Sequence, residues 1–173
     1  MLVFDLETQY LADEVGGWNH IRAMRLSVGV IYDPTSDTYC SYEEGEVERL
    51  IEALCAAERV IGYNLYRFDY EVLRGYRATL NDPPTVDMLQ HLYRTLGWRP
   101  KLDDLAAATL GEHKHGDGLD AVRWFRAGQL DKVRSYCQRD VEITWRVYDF
   151  GRRNGYVQVM DRSRRPRRIA VAW

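Results

Sequence analysis

At 173 residues, 46% apolar and 12% aromatic, the chain is expected to form one domain with a continuous core and no need of covalent staples. No window approaches the roughly eighteen apolar residues of a membrane span, and no basic stretch followed by an apolar run opens the chain, so an intracellular, cytoplasmic setting is expected rather than insertion or export. The net charge of −2 hides a split, because residues 151–168 carry seven arginines and one acid while the remainder is acidic, so one part suits phosphates and the other cations.

MLVFDL is apolar at nearly every position before Asp5, the pattern of a central strand buried on both faces. RLSVGVIYD and TYCSYEE, separated by the turn PTSD, predict an antiparallel hairpin, which makes the sheet mixed. EVERLIEALCAAE places Val47, Leu50, Ile51, Leu54 and Cys55 at helical spacing, and RVIGYN follows as a short strand ending at Gly62. The rest is mostly helical: FDYEVLRGY, DMLQHLYRTLG after the PPTV break, LDDLAAATLG, GLDAVRWFRAG, and the longest, QLDKVRSYCQRDVEITWRVYDFGRRNG. YVQVMD and RIAVAW predict a closing hairpin around an arginine-rich turn, with a solvated tail as the alternative. There is no internal repeat or linker, and the expected fold is α/β, a mixed sheet flanked by helices. Cys40, Cys55 and Cys137 are odd in number, far apart and without a CxxC, so they are expected to be reduced and structural rather than a disulfide framework or zinc site.

Four acids carry the chemical signal. Asp5 and Glu7, in FDLET, alternate with Leu6, so a strand turns both acids to one side. A triplet of this kind recurs by chance about once in 300 positions, and alone it decides nothing. Asp69 follows five residues after Asn64 at the first turn of a predicted helix, where an Asp also suits the helix dipole; Phe68 beside it is expected in the core. Tyr136 and Asp140 are four apart on the long helix and share a face with Val133, Cys137 and Thr144, although an i,i+4 Tyr and Asp can also simply bond one another. Four converging carboxylates would repel unless cations neutralised them. All-oxygen ligands favour Mg²⁺ or Mn²⁺, and two such ions about 4 Å apart stabilise the attacking and leaving oxygens of phosphodiester hydrolysis.

Together these motifs resemble the DEDD superfamily of 3′-to-5′ exonucleases, which has a ribonuclease H-like fold, and specifically its tyrosine-type branch (DEDDy). FDLET resembles the first motif, GYNLYRFD the second and YCQRD the third, in the family's order over some 140 residues. The histidine-type branch, His-x4-Asp, would need His at Ser135, whereas Tyr136, with three residues between it and Asp140, fits the tyrosine type. The wording is similar to the proofreading domains of family B DNA polymerases and to stand-alone or helicase-associated bacterial exonucleases. The chain is too short to include a polymerase, so a stand-alone nuclease or an excised domain is expected. The resemblance implies two divalent ions, with Asp5 bridging both, Glu7 and Asp140 completing the site of the nucleophile-activating ion, and Asp69 acting on the second through water. It further implies that Tyr136 orients the attacking water and that Leu6, Thr8 and Asn64 contact the terminal nucleotide. The expected partner is single-stranded nucleic acid, DNA before RNA, although nothing in the motifs reads the 2′-hydroxyl.

Two rival readings are a non-catalytic nucleic-acid-binding module that keeps the fold, and an interaction domain of a larger complex docked through residues 162–168. Loss of any one of the four acids would favour the first, and none is lost. Asp87 has two readings, a supporting acid after the second motif or an N-cap of the helix MLQHLYRTL. In HKHGDG, His113 and His115 suggest another metal site or, with their glycine neighbours, a loop bordering the cleft. Exposed tyrosines or tryptophans could stack on unpaired bases, and the sequence does not say which.

Overall fold

In the computed structural model, residues 1–112, 118–160 and 165–173 are described. His113 and His115, and the centre of the arginine-rich turn, lie outside them. The strands are β1 (Leu2–Thr8), β2 (Leu26–Asp33), β3 (Thr38–Glu43), β4 (Val60–Gly62), β5 (Thr85–Asp87), β6 (Tyr156–Met160) and β7 (Pro166–Ala170). The helices are α1 (Val47–Ala56), α2 (Asp69–Arg74), α3 (Met88–Leu96), α4 (Leu102–Leu110), α5 (Gly118–Arg126) and α6 (Leu130–Asn154).

Five strands form one sheet in the order β3-β2-β1-β4-β5. The apolar opening segment is its central strand, as expected, with Val3, Phe4 and Leu6 buried. β1 runs antiparallel to β2, with Asp5 opposite Val30 and Glu7 opposite Val28, and parallel to β4, which is parallel to β5. The sheet is therefore mixed, and the carboxyl ends of its parallel strands lie together, where open α/β sheets bind ligands.

Alternation along β1 divides the core in two. Val3 faces a cluster with Val28, Val30, Val133, Cys137, Val141 and Val147, which belongs to the α6 side. Phe4 and Leu6 face a second cluster with Leu50, Ile51 and Leu54 of α1 and Val72 and Leu73 of α2. Helices thus cover both faces of the sheet. Close approach on the second face needs Gly29, since a Cβ there would sit 2.7 Å from Leu50 Cδ2. On α6 the buried positions Val133, Tyr136, Cys137, Asp140, Val141, Thr144, Val147 and Tyr148 follow the three-and-four spacing of one helical stripe.

Two features were not in the sequence expectation. β5 is a strand of three residues where the pattern suggested only a break and a cap. Between β1 and β2 the chain makes 3₁₀ turns at Ala12–Val15 and Trp18–Ala23, the latter kinked at His20. The closing hairpin forms as a separate antiparallel pair, with Tyr156 opposite Ala170, and its second strand begins at Pro166, two residues earlier than expected. Val157, Val159 and Ile169 bury it against the α6 side, and the Thr109 hydroxyl donates to the Gln158 carbonyl at 2.9 Å to tie it to α4. Among the described residues, no helix is long and apolar enough to cross a membrane.

Candidate active site

Three elements deliver the acids to the carboxyl end of β1. The strand's pleat sends Asp5 and Glu7 to the α6 side, and there the stripe of α6 presents Asp140. One carboxylate oxygen from each of Asp5, Glu7 and Asp140 lies within 4.8 Å of the others. Glu7 and Asp140 are buried, while Asp5 retains partial access to solvent. Asp69 arrives from the opposite direction, off the end of β4 at the first residue of α2, and its Oδ1 accepts the Leu6 backbone N–H at 3.2 Å. It is outside the triad but lines the same cleft, which has a volume of about 480 Å³.

A buried thiol registers all four charges. Cys137 donates to the Asp5 carbonyl oxygen at 3.3 Å and lies 3.7 Å from Asp5 Oδ2. Burial pushes the thiol well above its usual range, and Asp5, Glu7, Asp140 and Asp69 add to the shift in that order. Burial likewise raises Asp69 well above its usual value, with the charge of Asp5 as the next cause and Asp87 contributing. Without a cation, then, burial and the neighbouring charge favour the protonated form of Asp69. A clustered, all-oxygen, multiply acidic donor set with this excess of negative charge fits magnesium or manganese, and no Cys/His donor set competes with it among the described residues.

The predicted site residues divide as follows. Asp5, Glu7, Asp69, Tyr136 and Asp140 all line the cleft, as do Leu6 and Thr8. Leu6 contributes mainly backbone there, because its side chain is buried with α1 and α2. Thr8 stands past an irregularity in the β1–β2 register and donates its hydroxyl to the Tyr10 carbonyl at 3.0 Å. The Tyr136 ring meets the Trp124 ring edge-on at 5.8 Å, which fixes its direction. Asn64 does not line the cleft. Its backbone is left-handed (φ 75°), its N–H donates to Asp87 Oδ1 at 2.9 Å, and its carboxamide oxygen accepts from Arg99. Tyr63 and Phe68 of the same loop line the cleft instead.

Of the two readings of Asp87, the structure bears out the N-cap. The side chain caps α3 through Gln90 N–H at 3.1 Å, and its second oxygen accepts Tyr66 N–H at 3.1 Å. With the Asn64 bond, this one carboxylate ties the loop that leads to Asp69 onto the start of α3. Phe68, expected in the core, is half-buried, backing onto the second cluster while its ring lines the cleft. The lining from the 3₁₀ segment, including Ala12 and Trp18, carried no periodic signal in the sequence, and Leu119 joins it from α5, a helix the sequence did predict. Glu14 of the first 3₁₀ turn joins these two banks by accepting from Arg126 through both carboxylate oxygens, at 2.6 and 2.5 Å.

Carboxylates thus gather at the end of the central strand of a mixed five-stranded sheet flanked by helices, an α/β architecture. The family model of the RNase H superfamily matches residues 2–150, and the chain belongs to that superfamily. No curated protein matches it. Among solved structures it is similar to the family B DNA polymerase from the hyperthermophilic archaeon Pyrobaculum calidifontis, with a TM-score of 0.63 and 16% identity. That match covers 87% of this chain and 24% of the polymerase, so the chain spans about a quarter of that protein's length. The zinc-bound E. coli ExoI–ssDNA complex also matches, with a TM-score of 0.49, 16% identity, and coverage of 88% of this chain and 40% of that one.

Proposed function

We propose that the protein is a metal-dependent 3′-to-5′ exonuclease of the tyrosine type, hydrolysing phosphodiester bonds at the 3′ ends of single-stranded DNA to release nucleoside monophosphates. The observation that carries this reading is the meeting of Asp5, Glu7 and Asp140 within 4.8 Å in a cleft that Asp69 and Tyr136 also line. The order of the three motifs along the chain supports the direction of attack, and the similarity of their wording to family B proofreading domains supports DNA.

Two magnesium or manganese ions, when bound, would supply the positive charge that steadies the attacking and leaving oxygens. Asp5 belongs to both groups of acids, since its oxygen lies with Glu7 and Asp140 and its charge raises Asp69. Asp5, Glu7, Asp140 and Asp69 would be the residues that hold the ions. Tyr136, its ring set by Trp124, would hold the water whose oxygen forms the new bond to phosphorus. The 3′ oxygen of the penultimate nucleotide would leave with the bonding pair and take up a proton from solvent, while the attacking water gives up one of its own to solvent. Leu6 and Thr8, at the cleft wall, would contact the terminal nucleotide. Asn64 could join them only by exchanging its bond to Arg99.

The test is incubation of 5′-labelled single-stranded DNA and RNA with magnesium, manganese or chelator, using wild type, Asp140→Ala and Tyr136→Phe. A ladder shortening from the 3′ end, absent with chelator and with Asp140→Ala and slowed with Tyr136→Phe, is expected. Cleavage without metal, or products released from the 5′ end, would overturn the reading.

A further inference from the structure

Resting on the nuclease reading for the identity of the ligand, we propose that Trp18, backed by Phe68, is a stacking platform for an unpaired base near the 3′ end and thereby sets a preference for single strands. Of the five tryptophans, Trp98, Trp124, Trp145 and Trp173 are half-buried against the core, while Trp18 is 67% exposed. Its ring lies 6.3 Å from that of Phe68, tilted at 58°, and both line the cleft that holds the four acids. An exposed indole beside an acidic floor is an apolar, π-faced wall where phosphate is unwelcome and a neutral base is not.

The backbone on both sides of the indole is anchored. Gly16 and Gly17, both at positive φ (94° and 103°), turn the chain immediately before it, and Gly17 N–H donates to the Ala12 carbonyl at 2.7 Å. Downstream, Arg22 pairs with Glu71 of α2 at 2.9 Å, and the Arg22 carbonyl packs against Gly75 so closely that a Cβ there would be 2.1 Å away. A ring carried on anchored backbone loses less freedom when a base stacks on it. Every unpaired base has a π-face to offer, whereas a base inside a duplex has spent both faces on its neighbours, so the platform is tolerant of sequence but not of pairing.

The experiment measures anisotropy of 5′-fluorescein oligo-dT with the four acids intact and calcium in place of magnesium or manganese, so that the strand stays uncut while the acidic cleft keeps its counter-ions. Trp18→Ala should weaken binding roughly 5- to 100-fold, the range for loss of base–aromatic stacking, while Trp18→Phe keeps most of the affinity and binding to a blunt duplex changes little. Abasic nucleotides at the last two positions should weaken the Trp18 protein similarly, and Trp18→Ala should add little on that strand. Equal affinity for oligo-dT with and without Trp18, an equal loss on the abasic strand, or no binding of oligo-dT at all overturns the platform. The two readings fail separately: Trp18-dependent binding without any hydrolysis by wild type refutes the nuclease alone, whereas hydrolysis with unchanged KM in Trp18→Ala refutes the platform alone.

Discussion

Replacing Asp87 with alanine removes three acceptor contacts at one stroke, from Gln90, Asn64 and Tyr66 N–H groups. Loss of the cap to Gln90 costs about 1 kcal/mol. The two loop donors are bonded to a charged oxygen, worth about 1.5–3 kcal/mol each at full burial. Since the loop is half-buried and coupled contacts do not add, the expected total is about 3–5 kcal/mol. Asparagine at this position can keep Oδ1 toward Asn64 and Gln90 and lose only the Tyr66 bond, at a cost of about 1–3 kcal/mol. Urea unfolding in chelator at neutral pH reads both values, with an unchanged m-value as the sign that only the folded state is affected. Because the same loop leads to Asp69, nuclease activity should fall in the same order, alanine below asparagine below wild type. A loss under about 1 kcal/mol for alanine, the range of an ordinary surface change, or equal losses for the two variants, would refute the assignment of this carboxylate as the tie between the second motif and α3.

Stability without metal should fall with rising pH, because Asp69 is held above its ordinary value of 3.8 in the folded state. The folded protein binds that proton more tightly than the unfolded chain, so its contribution is full below the ordinary value and is lost as pH climbs toward the raised one. In chelator, the thermal midpoint of wild type relative to Asp69→Asn should therefore decline as pH climbs above the ordinary value of 3.8, and a pH-independent difference contradicts the burial argument. Asp5→Asn removes the charge that next raises Asp69 and should make the metal-free protein more heat-stable while abolishing activity; lower stability in chelator would contradict it. Gly75→Ala drives a Cβ to 2.1 Å from the Arg22 carbonyl and should cost about 1–3 kcal/mol in urea unfolding. Gly45→Ala, with nothing within 4 Å, should stay within about 0.5 kcal/mol, and equal effects at the two glycines would refute the close packing of the 3₁₀ segment on α2.

What could be read before folding was what repeats along the chain. The apolar run into Asp5 reads as a buried central strand because Leu2, Val3 and Phe4 each meet one core or the other. The stripe of α6 reads as a helix because seven turns repeat the same spacing. Asp5, Glu7, Asp69, Tyr136 and Asp140 were legible from motif order, and the pleat of β1 explains why Asp5 and Glu7 share a side. The hidden parts depend on distant partners. β5 has three residues and no alternation of its own, and its pairing with β4 is long-range and parallel. The 3₁₀ segment has no period, so neither it nor the exposure of Trp18 could be foreseen. Asn64 is not among the cleft-lining residues, and its carboxamide accepts from Arg99, thirty-five residues later, a pairing no local pattern announces. Cys137 reads as an ordinary core cysteine until β1 brings Asp5 to its sulfur.

The central claim, that acids from β1 and α6 compose one cation site, is tested most directly by titrating Mn²⁺ into the protein and following free ion by electron paramagnetic resonance. Wild type should bind Mn²⁺ saturably, and Glu7→Gln and Asp140→Asn should each abolish or greatly weaken that binding while leaving the circular dichroism spectrum unchanged. Wild type that leaves the ion free, or variants that bind it as wild type does, would contradict the account.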